Sequence, residues 1–328
     1  MKSALLKLLL VGILSTLTFA CAKPSFTIGP PAPHQMQYES HKEGMTTIKV
    51  VDQRTDKNFF KGVAGLANID LPLKNVTDPI DWFSKTLQIE LASRGISATV
   101  LTKDAENGDG LVLSVKQYQI INYRVSGFSP WVSYHLFNGE LSTGDQTFPI
   151  KAFFLYGKVP VMSIYEIEEP CLTTPMAIMV NDVASKINRF VLNHQTSTKS
   201  LTQIYERAAA KTTGEEIATS DAYLPIMELA GSNNPDAMEM LIEFTDHQDT
   251  FVRACALTAM GTLGAEEKLQ FLKEKYTQYE DIDRFMALKA IGDIGTPEAI
   301  EFIKAAGADP KNEKELAVYY CVRLYAYE

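Results

Sequence analysis

The chain has 328 residues, with 31 Lys and Arg against 40 Asp and Glu for a formal net charge of −9, and 46% of its residues are hydrophobic. Length and apolar share support more than one buried core, while the acidic balance argues against a nucleic-acid binder and against a protein lying flat on anionic lipid. The acidity is uneven: from Lys199 onward there are 23 acidic and 13 basic residues, net −10, whereas Ala22 to Thr198 holds 17 and 16, net −1.

At the start, Lys2 and Lys7 precede an apolar run from Leu8 to Phe19 that Ala20-Cys21 closes. This predicts a secretory signal over residues 1–20, too short and wrongly flanked for a permanent membrane span. A cysteine directly after a small residue here resembles a bacterial lipobox, although Leu17 sits one place early and Phe19 is bulky for that motif. The resemblance implies that Cys21 is the lipidated first residue of a membrane-anchored chain, and Ala22 after it implies an outer-membrane destination. Ordinary signal-peptidase cleavage, with Ala20 and Ala22 as its small residues, remains the open alternative. Residues 21–44 carry Pro24, Pro30, Pro31 and Pro33 with few large apolar side chains, and read as a lipidated tether that cannot fold alone.

Residues 45–195 read as one α+β sandwich domain. Ile48, Val50 and Val51 predict a strand ending at Asp52. A helix follows Asp78-Pro79, carries Trp82, Leu87, Ile89 and Leu91, and stops at Arg94-Gly95. Strands are predicted at Ala98 to Leu101, Leu111 to Ile121, Trp131 to Leu141 and Phe148 to Leu155, with a closing helix from Pro175 to Leu192; together they predict two helices on an antiparallel sheet. Tyr123, Phe128, Pro130, Trp131, Tyr134 and Phe137, followed by Phe153, Phe154 and Tyr156, fit either a packed sheet face or an exposed aromatic hairpin for lipid or a partner. The order of elements, with Asp52-Gln53-Arg54 after the first strand, Trp82 through Gly95 on the helix and Ala177 to Phe190 closing the domain, resembles the YajG-type bacterial envelope lipoproteins. Those proteins lack an assigned reaction; related architecture in accessories of envelope transport machines implies an alternative role in lipid or solute transport.

Residues 196–220 read as a linker and capping helix, and 221–328 as helical repeats. Arg253 to Gly264 aligns without a gap on Arg284 to Gly295, sharing Arg, Ala, Leu, Ala, Gly and Gly. Ala256, Leu257, Met260 and Leu263 match Ala287, Leu288, Ile291 and Ile294 at helical spacing, and Gly264 and Gly295 end the helices. A second apolar segment follows each, so the unit is a helical hairpin. An earlier copy opens at Asn234-Pro235-Asp236, matching Thr296-Pro297-Glu298, and a capping helix spans Leu316 to Leu324; this makes three hairpins plus end pieces, an all-α solenoid. The region resembles HEAT-like repeats of the phycobiliprotein-lyase type, a motif shared by many non-enzymes. That family's acid, three residues, arginine pattern appears as Asp249 with Arg253 and Glu280 with Arg284, and the resemblance implies that the arginines tie neighbouring repeats together. The alternative for each is an exposed ion pair worth about 0.3 to 0.5 kcal/mol.

Cys171, Cys255 and Cys321 read as buried, unbridged thiols. His34, His41, His135, His194 and His247 form no H-E-x-x-H, and G-x-S-x-G and phosphate-loop motifs are absent from the sequence. His135 reads as a surface or cross-strand residue. No catalytic residue, cofactor or metal site is assigned. The expectation is an outer-membrane lipoprotein acting as a protein-protein adaptor for envelope proteins through the repeats, with Glu266 and Glu267 as candidate partner surface. A groove lined by Phe128, Trp131 and Phe153 would favour the transport alternative, and a smooth concave acidic helix face the adaptor.

Overall fold

The computed structural model describes residues 25–32, 34, 36, 38, 45–64, 67–69, 73–102, 110–126, 129–213, 219–309 and 315–327. The signal over 1–20, Cys21 and Phe128 lie outside the described residues.

Seven strands form one sheet: β1 (Thr46–Asp52), β2 (Phe60–Ala64), β3 (Ala67–Ile69), β4 (Ala98–Thr102), β5 (Leu111–Arg124), β6 (Trp131–Ser142) and β7 (Thr147–Lys158). The sheet is mixed, which corrects the antiparallel expectation. β1 runs parallel to both β4 and β5, β2 runs parallel to the far half of β5, and only β5, β6 and β7 form an antiparallel meander. The reason is the connection: β1 reaches β4 through the helix α1 (Pro79–Ser93), and a helical crossover returns the chain in the same direction. β2 and β3, short and outside the predicted strands, form an antiparallel pair laid along β5 beyond the end of β1.

Asp78 caps α1 by accepting from the amides of Ile80 and Asp81, with Pro79 in the first turn. Phe83, Leu87 and Leu91 then recur every fourth residue and are fully buried. Phe83 stacks on Phe137 with centroids 5.0 Å apart, and Tyr118 meets Phe83 edge-on at 5.4 Å. The second helix, α2 (Thr174–Ile187), is buried at all of its positions. A helix buried all round has partners on every side: the sheet lies on one flank and the repeat helices on the other.

The C-terminal helices are α3 (Thr198–Lys211), α4 (Thr219–Gly231), α5 (Ala237–Phe244), α6 (Thr250–Leu263), α7 (Leu269–Gln278), α8 (Ile282–Ile294), α9 (Pro297–Ala308) and α10 (Leu316–Ala326). Gly264 and Gly295 take φ +93° and +69° as left-handed caps after α6 and α8. Thr296 caps α9 through the Ala299 amide with Pro297 in the first turn, whereas Asn234 spends its side chain on the Asp236 amide and α5 begins only at Ala237. α4, α6, α8 and α10 form an inner layer and α5, α7 and α9 an outer one. The inner layer wraps the β7 edge of the sheet: Phe251 packs edge-on against Phe154 and Tyr156 from one face, and Tyr320 meets Tyr134 at 5.2 Å from the other. Covering this edge with helices removes a template for strand addition.

The reading of 21–44 as a free tether does not hold for its described part. Phe26, Ile28, Met36 and Tyr38 are buried, and the Tyr38 hydroxyl donates to the Gly231 carbonyl at 2.6 Å. These side chains find partners only in distant parts of the chain, so local composition understates their burial.

Candidate interaction surfaces

The inner layer is closed by a buried square of charges. Lys186 Nζ on α2 lies 2.9 Å from Asp182 Oδ1 and 2.7 Å from Asp293 Oδ1, while Lys289 Nζ on α8 lies 2.7 Å from Asp182 Oδ2 and 2.6 Å from Asp293 Oδ2. Thr262 donates to Asp182 at 2.7 Å and Tyr325 to Asp293 at 2.8 Å. Burial opposes ionisation, yet the Lys186 and Lys289 charges hold Asp182 below the usual carboxylate range, and the two aspartates hold Lys289 above the usual lysine value. Gly261 lets the backbones close up, since a Cβ there would meet Ala290 Cα at 2.7 Å. The Arg189 guanidinium, just after α2, donates to the Gly261 carbonyl at 3.5 Å, a cation at the negative end of α6.

A second buried cluster ties the N-terminal segment to both regions. His34 Nε2 lies 2.5 Å from Glu90 Oε1 and Nδ1 lies 3.3 Å from Glu228 Oε1. Arg94 pairs with Glu90, donating through Nε at 2.9 Å, and reaches Ser185 Oγ at 2.9 Å and the Asn181 carbonyl at 3.1 Å on α2. Arg207 on α3 pairs with Glu228. Burial alone would push His34 down; the Glu90 charge and the hydrogen bonds that Glu228 and Glu90 accept from the ring outweigh it, so its pKa is raised. Burial would push Glu90 up, but the charges of His34 and Arg94 hold it at about 2.

These clusters were missed in the sequence. Their signal is the i,i+4 pairs Glu90 with Arg94, Asp182 with Lys186 and Lys289 with Asp293, all in phase with apolar stripes rather than opposite them.

The arginines of the repeat motif reach forward. Asp249 caps α6 by accepting from the Phe251 and Val252 amides, and Arg253 donates from Nε to Asp283 of the following hairpin at 2.7 Å. Arg284 donates to Glu315 at 3.0 Å, just before α10, and to the Tyr276 hydroxyl at 3.0 Å. Glu280 is exposed and the cap of α8 is Asp281. The bond across repeats therefore joins each arginine to an acid about one period ahead, a partner that short spacing does not reveal.

Glu266 and Glu267 are exposed and, with Leu269, Thr296, Pro297 and Glu298, line a shallow notch between successive outer helices. Around them the outer layer is an ion-pair lattice: Lys268 to Glu239 at 2.6 Å, Lys273 to Glu298 at 2.6 Å and Lys275 to Asp246 at 2.5 Å.

Trp131, Phe137, Phe153 and Phe154 are buried packing residues. The groove that would have favoured transport, lined by Phe128, Trp131 and Phe153, has its two described members buried; a polar groove of about 1020 Å³ lies elsewhere, between the outer face of β5 and β6 and helix α10, lined by Lys61, Gln117, Gln119, Asn138, Tyr319 and Arg323 among others. His135, read as a surface or cross-strand residue, is cross-strand, paired with Ile120 and Phe154, and buried; its Nε2 lies 2.9 Å from the Cys171 carbonyl, and burial lowers its pKa to about 4. Cys171, Cys255 and Cys321 are buried free thiols, and burial pushes Cys171 up to about 12.

The C-terminal helices and the α+β domain are similar to different known proteins. Residues 222–284 match the family model described as HEAT repeats, and residues 283–306 match the PBS lyase HEAT-like repeat. Helices α4 to α9, which these matches cover, are HEAT-like repeats, following an α+β domain. Among solved structures, the chain is similar to a Xanthomonas campestris protein of the DUF330 family model at 10% identity, covering 53% of this chain and 95% of that one with a TM-score of 0.29. It is also similar to an uncharacterized protein at 13% identity, covering 50% and 94%, with a TM-score of 0.27. No curated protein matches the chain. Among the described residues, no helix is long and apolar enough to cross a membrane.

Proposed function

We propose that this chain is an outer-membrane lipoprotein, anchored through Cys21, that serves as a periplasmic scaffold and binds envelope proteins on the outward helices of its repeat array. It binds no nucleic acid in this reading, carries no reaction and needs no cofactor. The observation that carries the reading is the division of the array into two layers. HEAT-like stacks offer extended surfaces, and here α2 and β7 of the chain's own α+β domain occupy the inner layer, leaving the outer lattice around Glu266, Glu267 and Glu298 for a partner. Exposed carboxylates outnumber lysines there, which suits a basic partner surface and an on-rate that falls with salt.

The test uses the full chain, because the buried charge square makes an isolated array a poor mimic. Glu266→Gln with Glu267→Gln and Glu298→Gln, placed on native envelopes with photo-crosslinking from position 270, should lose the wild-type crosslinks while the melting curve stays unchanged. Retention of every crosslink would refute the outer-face assignment. A transport accessory is the second reading, favoured by the groove beside α10. Its glutamine, lysine and tyrosine lining fits a polar solute rather than an acyl chain.

A further inference from the structure

We propose that the end of the sheet formed by the turn after β5 and the loop after β7 is a bilayer-contact face, pressed against the membrane that holds the anchor. The inference rests on the reading of Cys21 as the lipid anchor.

The first ground is where the chain enters the fold. Phe26 is fully buried and its ring packs on Phe60 at 6.4 Å, Trp131 at 6.2 Å and Tyr165 at 6.1 Å. Phe26 comes five steps along the chain from Cys21, and an extended chain of that length reaches at most about 17 Å. An acylated Cys21 therefore holds this end of the molecule close to the head groups.

The second ground is what that end displays. Trp131 pairs with Lys158 and Tyr123 with Val132, so Val125 just after β5 and the loop after β7 lie at the same sheet end that Phe26 packs under. Val125 there is 64% exposed, Val161 80% and Met162 90%, joined by Val159 and Tyr165. These five make up most of the exposed large hydrophobic side chains among the described residues, gathered at one end. Exposed apolar side chains grouped in this way mark a contact surface.

The third ground is that the loop is built to hold them out. One carboxylate, Glu166, accepts from the amides of Val161 at 3.0 Å, Met162 at 2.7 Å and Ser163 at 2.9 Å, and the Ser163 hydroxyl accepts a capping bond from the Tyr165 amide. Three successive backbone amides at the tip are thereby satisfied by the chain itself, which lowers the cost of a loop entering the interfacial region. Exposed Lys158 at the base and Lys74, 5.8 Å over the Tyr165 ring, place cations at head-group level. The acidic outer helices belong to the other domain, so contact through this end does not bring them onto anionic lipid.

The experiment places an environment-sensitive fluorophore at Met162→Cys, and as control at Glu301→Cys on the outer layer, in the mature full chain bound to vesicles of phosphatidylethanolamine and phosphatidylglycerol. Cys171, Cys255 and Cys321 are buried and the unlabelled wild type serves as blank. The probe at 162 should shift to an apolar environment and be quenched by nitroxide-labelled lipid, and the probe at 301 should not. In a Cys21→Ser background, Val161→Asp with Met162→Asp should weaken vesicle partition at least about tenfold. A probe at 162 as water-exposed as that at 301 on vesicle-bound protein overturns the proposal, as does shielding that appears only when envelope proteins are added. The mass of the N-terminal peptide reports acylation separately: an unmodified Cys21 removes the anchor reading, and the partition of the Cys21→Ser protein then decides the face alone.

Discussion

The inner and outer layers of the array use the same helical repeat to opposite ends. α6 and α8 are buried on nearly every side, and α8 brings charged groups inward, where Lys289 meets two aspartates beneath α2. α7 and α9 bury one stripe each and spend their charges in exposed or half-exposed pairs such as Lys273 with Glu298. Repeat periodicity therefore sets the hairpin, while the direction of the charges separates a layer that docks the chain's own domain from one left exposed. A buried charge must be paired, so the inner square is specific and intolerant; the outer lattice is screened and forgiving.

The largest expected effect is on the square. Lys289→Met leaves Asp182 and Asp293 sharing one lysine in a dry interface and should cost about 3 to 5 kcal/mol in urea titration. Adding Asp293→Asn should recover part of that loss. If Lys289→Met is neutral, water reaches the square and the layers are less distinct than described. Leu288→Ala, in the fully buried stripe of α8, should cost about 2 to 5 kcal/mol through the cavity it leaves.

Acid should act on the sheet side of the comparison. His135 has its pKa lowered from 6.5 to about 4 by burial, so the stability it confers is present above pH 6.5 and lost as pH falls toward 4, at most about 3 kcal/mol. His34 is raised and works in the opposite sense: its contribution is full below pH 6.5 and lost as pH rises through the raised value. Urea midpoints measured across pH should therefore flatten on the acid side for His135→Gln and on the alkaline side for His34→Gln. Identical slopes in wild type and both variants would contradict the burial of these imidazoles. The smallest effect belongs to the outer lattice, where Lys273→Ala should change stability by about 1 kcal/mol or less, and less still in high salt.

Much of this contrast could be read in the sequence. The spacing of Leu257 and Leu288, the caps Gly264 and Gly295, and Asp78-Pro79 before α1 are local signals, and each acts through a neighbour within about one helical turn. What escaped depends on distance. Phe26 and Tyr38 look like isolated residues in a proline-rich segment until Trp131 and Gly231 arrive from elsewhere in the chain. Arg253 looks paired with Asp249 because the partner it reaches, Asp283, is 30 residues away. The parallel pairing of β1 follows from where a crossover lands, which no property of Thr46 to Asp52 encodes. The surface residues Glu266 and Glu267 could be named from charge alone, yet their place on the open side of the array required knowing what closes the other side.

The most direct test of a repeat array fused to its own domain uses the two tryptophans, Trp82 and Trp131, both of which lie in the α+β domain. Tryptophan emission therefore reports that domain alone, while far-ultraviolet circular dichroism is weighted toward the helices of the array. For Leu288→Ala, placed wholly in the array, the account predicts that both signals shift to the same lower midpoint in a single transition. A tryptophan midpoint that stays at the wild-type value while the helical signal falls would contradict it, and would mean that the inner layer is an open surface.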